Sequence, residues 1–337
     1  MRTLRILTAL CISATIILSS VHAEEVAVNT SSLSLLPAPS DAIKDSTNQE
    51  TAPVALPYQG WGYLVAKLKQ MGVALDELEK IYNDPRMPPF SFVPFRLTPK
   101  ETTGMYKGFI NKHLFAVGAE FAKRHRVEFD RIEKTLHVPR EVVTAIVLVE
   151  SHLGKNTGNA LIIERLSRVA SVGEPENLAK NLDIVRSEQP SVEKSQLESR
   201  AQYLEKTFLP EIPALIDLSK RNNLDVLEIR GSSAGAFGMP QFLPTTFLRF
   251  GVDGDRNGVV SLFDDVDAIW STAKFLAAFG YRHDLKTREK RAVLWRYNKS
   301  DPYIDTVLAV SHGIKAILRN HAPSAEKNTS KSVSKPS

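Results

Sequence analysis

The sequence predicts a mainly α-helical globular domain, and three observations predict it. Apolar residues recur at three- and four-residue intervals through most of the stretch from about 58 to 320. Strand-like runs are few and short, and no internal repeat is present. The chain has 337 residues, 43% hydrophobic and 24% charged, enough to bury a full core.

The chain opens with Arg2 and Arg5, an apolar run from Leu7 to Leu18, and Val21-His22-Ala23. This is the pattern of a secretory signal over residues 1–23, with an A-x-A-like cleavage site and an apolar run too short to cross a bilayer. Removing it takes the formal charge from +5 to +3. The single cysteine, Cys11, lies in that run behind Leu10, where a lipid-attachment site needs a small residue. The mature chain is therefore expected to lack cysteine, which excludes disulfides, thiolate catalysis and cysteine zinc sites. A soluble, periplasmic protein is expected, since no later stretch approaches the roughly 18 apolar residues of a membrane span. The positive charge is small and dispersed, with no basic stretch interleaved with aromatics, which argues against nucleic acid.

Residues 24–57 are rich in Ser, Thr, Pro, Ala and Glu and read as a flexible linker. Helical periodicity then covers Tyr63–Met71 and Ala74–Tyr82, two additional N-terminal helices, followed by Thr98–Arg124 and Val127–Thr135. Later helices are expected over Leu161–Ala170, Gln196–Asn222, Asp264–Phe279, Thr287–Trp295 and Tyr303–Leu318. Residues 171–195 read as a polar, irregular stretch, and 321–337, rich in Ser, Lys and Pro, as a disordered tail.

Between them, His137 to Gly154 carries the most information. Pro139 suits the first turn of a helix, Glu141 its positive end, and Gly154-Lys155 its stop. Val142, Val143 and the run Ala145 to Val149 make it apolar on nearly every face, so it is expected to be buried. Such a helix presents one carboxylate, Glu150, in its last turn. Loss of hydration there favours the protonated form, as a general acid near neutral pH requires. Taken alone, the segment favours the plainer reading, in which Glu150 points to solvent or pairs with Lys155. His152 has no second His or Cys at metal spacing and reads as a polar surface residue.

A second segment, Gly231-Ser-Ser-Ala-Gly235-Ala-Phe-Gly238-Met-Pro-Gln241-Phe242, is small and uncharged, so backbone can approach a ligand or a helix closely. No Gly-Lys-Ser/Thr follows and no βαβ pattern surrounds it, which excludes phosphate and dinucleotide loops and leaves no organic cofactor.

A third, Asp253-Gly-Asp255-Arg-Asn257-Gly258-Val259-Val-Ser261-Leu-Phe-Asp264, fits the EF-hand loop at positions one, three, five, six and nine. Val259 is placed to give a backbone carbonyl. Asp264 stands at the twelfth position where Glu is usual, and Asp267, one helical turn on, is an alternative. The bland reading is an Asp/Asn/Gly turn without metal.

These segments, with Trp295-Arg-Tyr297-Asn298-Lys-Ser-Asp-Pro-Tyr303, resemble the lysozyme-like superfamily, and among them the lytic murein transglycosylases of the membrane-bound B type and their soluble relatives. The resemblance covers roughly 58–320 and includes Leu166-Ser-Arg-Val-Ala170 and Asp267-Ala-Ile-Trp-Ser-Thr-Ala-Lys-Phe-Leu. It implies a lysozyme-like helical domain with a small β element, and places Glu150 as the catalytic acid. It implies that Ser232, Gln241, Tyr297, Asn298 and Tyr303 line or shape the site; Phe242 is either a sugar platform or a core residue. It also implies a structural calcium loop over 253–267, closed by Asp267 with Asp253, Asp255, Asn257 and Val259. Ser151 and Leu153 stand where the family usually has a Thr and an aromatic, and Phe237 and Met239-Pro240 vary the loop; these departures bear on substrate preference.

The implied reaction cuts peptidoglycan glycan strands between N-acetylmuramic acid and N-acetylglucosamine, forming 1,6-anhydromuramic acid. Most glycosidases pair two carboxylates, and the matched motifs offer only Glu150. A lysozyme-type hydrolase and a non-catalytic peptidoglycan-binding protein are the alternatives.

Overall fold

A computed structural model describes residues 57–98 and 101–320; the expected signal segment, the linker through Leu56 and the tail lie outside the described residues. Helices α1 (Gly62–Gln70) and α2 (Leu75–Tyr82) close on Trp61, which is 1% exposed between Tyr82 and Phe90. Its indole N–H donates to the Pro88 carbonyl at 2.9 Å.

The expected helix over Thr98–Arg124 is broken into a turn α3 (Thr103–Tyr106), a 3-10 turn over Lys107–Phe109, and α4 (Lys112–Arg124). The break has a local cause. Asn111 caps α4, accepting from the Leu114 N–H, while its amide donates back to the Gly108 carbonyl.

Helices α5 (Arg126–Leu136) and α6 (Arg140–Ser151) follow. Every residue of α6 from Glu141 to Ser151 is buried, as its all-round apolar sequence requires. It is packed by α4, α5, α12 (Asp265–Ala278) and α14 (Asp301–Asn320). The helix stops at Ser151, ahead of the expected glycine. His152 and Leu153 both take the left-handed conformation, at φ 52° and 58°, before Gly154 does.

Strand β1 (Ala160–Leu161) leads into α7 (Ile162–Val169) and pairs antiparallel with β2 (Arg230–Gly231), Ala160 opposite Gly231. This small sheet needs glycine: a Cβ on Gly158 would lie 2.2 Å from the Gly231 carbonyl oxygen.

Residues 171–195 correct the expectation of an irregular stretch. They contain α8 (Pro175–Glu188), capped by Glu174 with Pro at its first turn. Its polarity is structural. Asn177 and Asn181, each 2% exposed, accept from the Val93 and Phe95 N–H groups and so hold an extended segment. The expected helix over Gln196–Asn222 is two, α9 (Lys194–Phe208) and α10 (Glu211–Arg221), parted at Leu209-Pro210 where proline lacks a donor. A short α11 (Pro244–Phe250) was not foreseen, and α13 (Thr287–Tyr297) completes the order. Among the described residues no helix is long and apolar enough to cross a membrane.

Candidate active site

Glu150 sits in the last turn of α6 and is 3% exposed. Removal of water from a carboxyl disfavours its charged form. Three tyrosines carry its electrostatic imprint. Burial first, and then the charge of Glu150, push Tyr297 and Tyr303 well above the usual phenol range. Tyr297 and Tyr303 stack, 6.3 Å between ring centroids and 7° between planes. Tyr106 is raised by burial, then by Glu101, and then by Glu150.

Tyr106 and Glu101 were missed in the sequence. The Tyr106 hydroxyl donates to Glu101 at 2.7 Å, and the Tyr106 ring meets Tyr303 edge-on. Glu101 is itself raised by burial against opposing hydrogen bonds from Ser300 and Tyr106. Their segment, a polar Thr/Gly/Lys stretch, carries no periodicity that marks a site; only the fold brings it to α6.

The glycine-rich loop meets α6 through Ser151, 0% exposed, whose hydroxyl donates to the Met239 carbonyl at 2.8 Å and accepts from the Gly154 N–H. Gln241 is in the left-handed region at φ 52°; its amide donates to the Gly238 and Thr157 carbonyls, while its buried carbonyl oxygen has no partner among the described residues. Asn298 is buried, and among the described residues neither end of its amide has a partner. Such groups cost free energy unless a ligand or water meets them. Tyr297 donates to the Pro240 carbonyl. A cavity of about 140 Å3 is lined by Gln241, Phe242 and Tyr297 together with Arg296; Glu150, Ser232, Asn298 and Tyr303 are not in its lining, and it meets the acid's surroundings through Tyr297.

Two predicted site residues are placed differently from the rest. The Ser232 hydroxyl closes its own loop by accepting from the Ala236 N–H. Phe242, 2% exposed, packs against Phe275 and Tyr297, leaving an edge on the cavity. His152 tilts against Phe109 and is held below the usual imidazole range by burial and then by Lys155.

The acidic loop lies behind the glycine-rich one. The Met239 N–H donates to the Leu262 carbonyl at 2.7 Å, and Gly238, at φ 72°, passes so close that a Cβ would be 2.3 Å from that of Leu262. Carboxylate oxygens of Asp253, Asp255 and Asp267 gather within 4.8 Å of one another. Asp267, fully buried, accepts from the Gly254 and Ser261 N–H groups and so shapes the loop. Asp264 is committed to capping α12, accepting from Val266 and Asp267. Asn257 accepts from the Val259 N–H, and Val259 is exposed. This donor set, hard oxygens in a glycine-turned loop, fits calcium.

The profile of the transglycosylase SLT domain family matches residues 61–290. The chain belongs to the transglycosylase SLT domain family. A curated relative, the membrane-bound lytic murein transglycosylase B of Escherichia coli (strain K12), is 27% identical over 175 residues, 52% of this chain. The match spans only 41% of that relative's length. Among solved structures, the soluble lytic transglycosylase SltB1 of Pseudomonas aeruginosa aligns over 76% of this chain and 98% of its own, at 20% identity and a TM-score of 0.56. The lytic transglycosylase Slt35 of Escherichia coli, determined in complex with calcium, aligns over 77% and 93%, at 18% identity and a TM-score of 0.55. The SLT domain is thus mainly α and lysozyme-like, with a small β element and additional N-terminal helices.

Proposed function

We propose that this SLT-domain protein is a lytic transglycosylase, an enzyme that cuts peptidoglycan glycan strands between N-acetylmuramic acid and N-acetylglucosamine with Glu150 as its single acid and base. The observation that carries the reading is a carboxyl, 3% exposed, at the end of an apolar helix and ringed by tyrosines that feel its charge.

Protonated Glu150 gives its proton to the glycosidic oxygen as that bond breaks. The muramoyl N-acetyl group shares the positive charge that develops at the anomeric carbon. Ionised Glu150 then takes the proton of the same sugar's 6-hydroxyl, whose oxygen closes onto the anomeric carbon as 1,6-anhydromuramic acid. No water is consumed, and keeping the nucleophile within the substrate removes the entropy cost of recruiting it. Gln241 and Asn298 supply donors and acceptors toward the sugar, Phe242 and Tyr297 line the cavity wall, and Ser232 keeps the loop closed; Tyr303 holds the acid.

Calcium in the loop of Asp253, Asp255, Asn257, Val259 and Asp267 is structural, since Leu262 lends its carbonyl to the site loop and a bound hard cation stiffens that support. Arg2, Arg5 and the following apolar run support export to the periplasm, where the substrate lies; nucleic acid and an organic cofactor have no place in this reading.

Mass spectrometry of digested sacculi tests the reaction. Anhydromuramoyl ends are expected, whereas reducing muramic acid would identify a hydrolase. Glu150→Gln, which keeps the side chain's size, is expected to lose about 10²–10⁴-fold in rate. Undiminished cleavage by that variant would remove the assignment, and binding without cleavage by the wild-type protein would leave a peptidoglycan-binding protein.

A further inference from the structure

Helix α6 has a second cavity at its other end. The first turn of the helix lies roughly 14 Å along the axis from Glu150 and forms one wall of a space of about 170 Å3. Pro139 provides no side-chain cap there. The Arg140 N–H is met by the Glu133 carboxylate at 2.9 Å, and the remaining first-turn N–H groups at the positive end of the helix dipole lie at this wall.

Two hydroxyls line the same space. Tyr281, in the turn after α12, is 3% exposed and Ser311, on α14, is 6% exposed. Among the described residues neither hydroxyl has a hydrogen-bond partner, although both side chains are more than nine-tenths buried. What little surface they keep opens on the cavity. The hydroxyl oxygens themselves stay open to this space, so two donors on mostly buried side chains are presented together to whatever fills it.

The charges select the ligand. Lys290 of α13 lines the cavity with no carboxylate partner among the described residues. His283 and His312 line it as well. Glu141 is the only acid in the lining, and it is neutralised by Lys315 at 2.5 Å. The surplus is positive, and each free group is able to donate. A cation would find no unpaired carboxylate, and a neutral ligand would leave the Lys290 ammonium without a counter-ion.

We propose that this cavity binds a small oxyanion, a carboxylate or a phosphate group, held by Lys290, the Tyr281 and Ser311 hydroxyls and the N-terminus of α6. The site is separate from the glycan cleft and does not depend on the reaction assigned to Glu150.

Isothermal titration of the full-length protein with inorganic phosphate, and in a second series with acetate, tests it, with ionic strength held by sodium chloride and no divalent cation added. Saturable one-site binding is expected, with affinity at least about tenfold weaker in Lys290→Ala and weakened in Ser311→Ala and Tyr281→Phe, while peptidoglycan cleavage by the variants stays at the wild-type rate. Binding of phosphate alone assigns the site to phosphate groups, and binding of both anions to oxyanions generally. The proposal is overturned if neither anion binds, or if binding is undiminished in both Lys290→Ala and Ser311→Ala. Circular dichroism confirms that each variant is folded.

Discussion

At the scale of single residues, the acid is governed by what surrounds it. The Tyr303 hydroxyl feels the charge of Glu150, and a hydroxyl dipole turned toward a carboxylate favours its charged form. Tyr303→Phe removes that dipole, so the acid holds its proton more firmly. The high-pH limb of the pH–rate profile is expected to move to higher pH, which initial rates on purified sacculi measure. His152 gives the opposite kind of test. Burial and then Lys155 lower its pKa from 6.5, so the unfolded chain binds a proton more readily than the folded one. Its contribution to stability is complete above the unfolded-state value and is lost as pH falls below it toward the lowered folded value. Denaturant midpoints measured through that window are expected to fall less with acid in His152→Asn than in the wild type. Glu150 was visible in the sequence, whereas His152 read there as a polar surface residue and is instead half-buried against Phe109. Tyr106 and Glu101 were not visible, because their nearness to α6 depends on the turns that break up the expected helix before α4.

At the scale of elements, the site is two loops braced against one helix end. Ser151 ties α6 to the glycine-rich loop through Met239, and Met239 ties that loop to the acidic one through Leu262. Ser151→Ala leaves the Met239 carbonyl and the Gly154 N–H without their partner in a buried place. A loss of about 1–3 kcal/mol is expected in chemical denaturation, with cleavage falling as well because Glu150 is the adjacent residue. Gly238→Ala attacks the second brace, since both its φ of 72° and the approach of Leu262 exclude a side chain. It is expected to destabilise the fold and slow cleavage together. The glycines of this loop were legible as a signal of close approach; which partner they approach was not.

At the scale of the molecule, the acidic loop packed behind the glycine-rich one would couple a bound ion to global stability. If calcium binds only the folded chain, free ion at 100 times its dissociation constant adds about 2.7 kcal/mol. The melting temperature is expected to rise with calcium, to fall on chelation, and to show no calcium response in Asp267→Ala. A wild-type melting temperature indifferent to calcium would make the loop an ordinary turn. The sequence placed the carboxylates at alternate positions but left Asp264 and Asp267 as competitors; the fold separates them by using Asp264 as the cap of α12.

The sequence by itself determined the helical class, the burial of α6 and the position of one acid in its last turn, because periodicity and apolar content are local properties of the chain. Tertiary structure decided the rest. It turned the polar stretch before α9 into a helix, since Asn177 and Asn181 bond to Val93 and Phe95, far away in the chain. It brought Tyr106 and Glu101 to the acid, and it left Tyr281 and Ser311 unpaired around one cavity. Each of these depends on which distant groups become neighbours, and hydrogen bonding between such groups leaves no periodic trace in the order of residues.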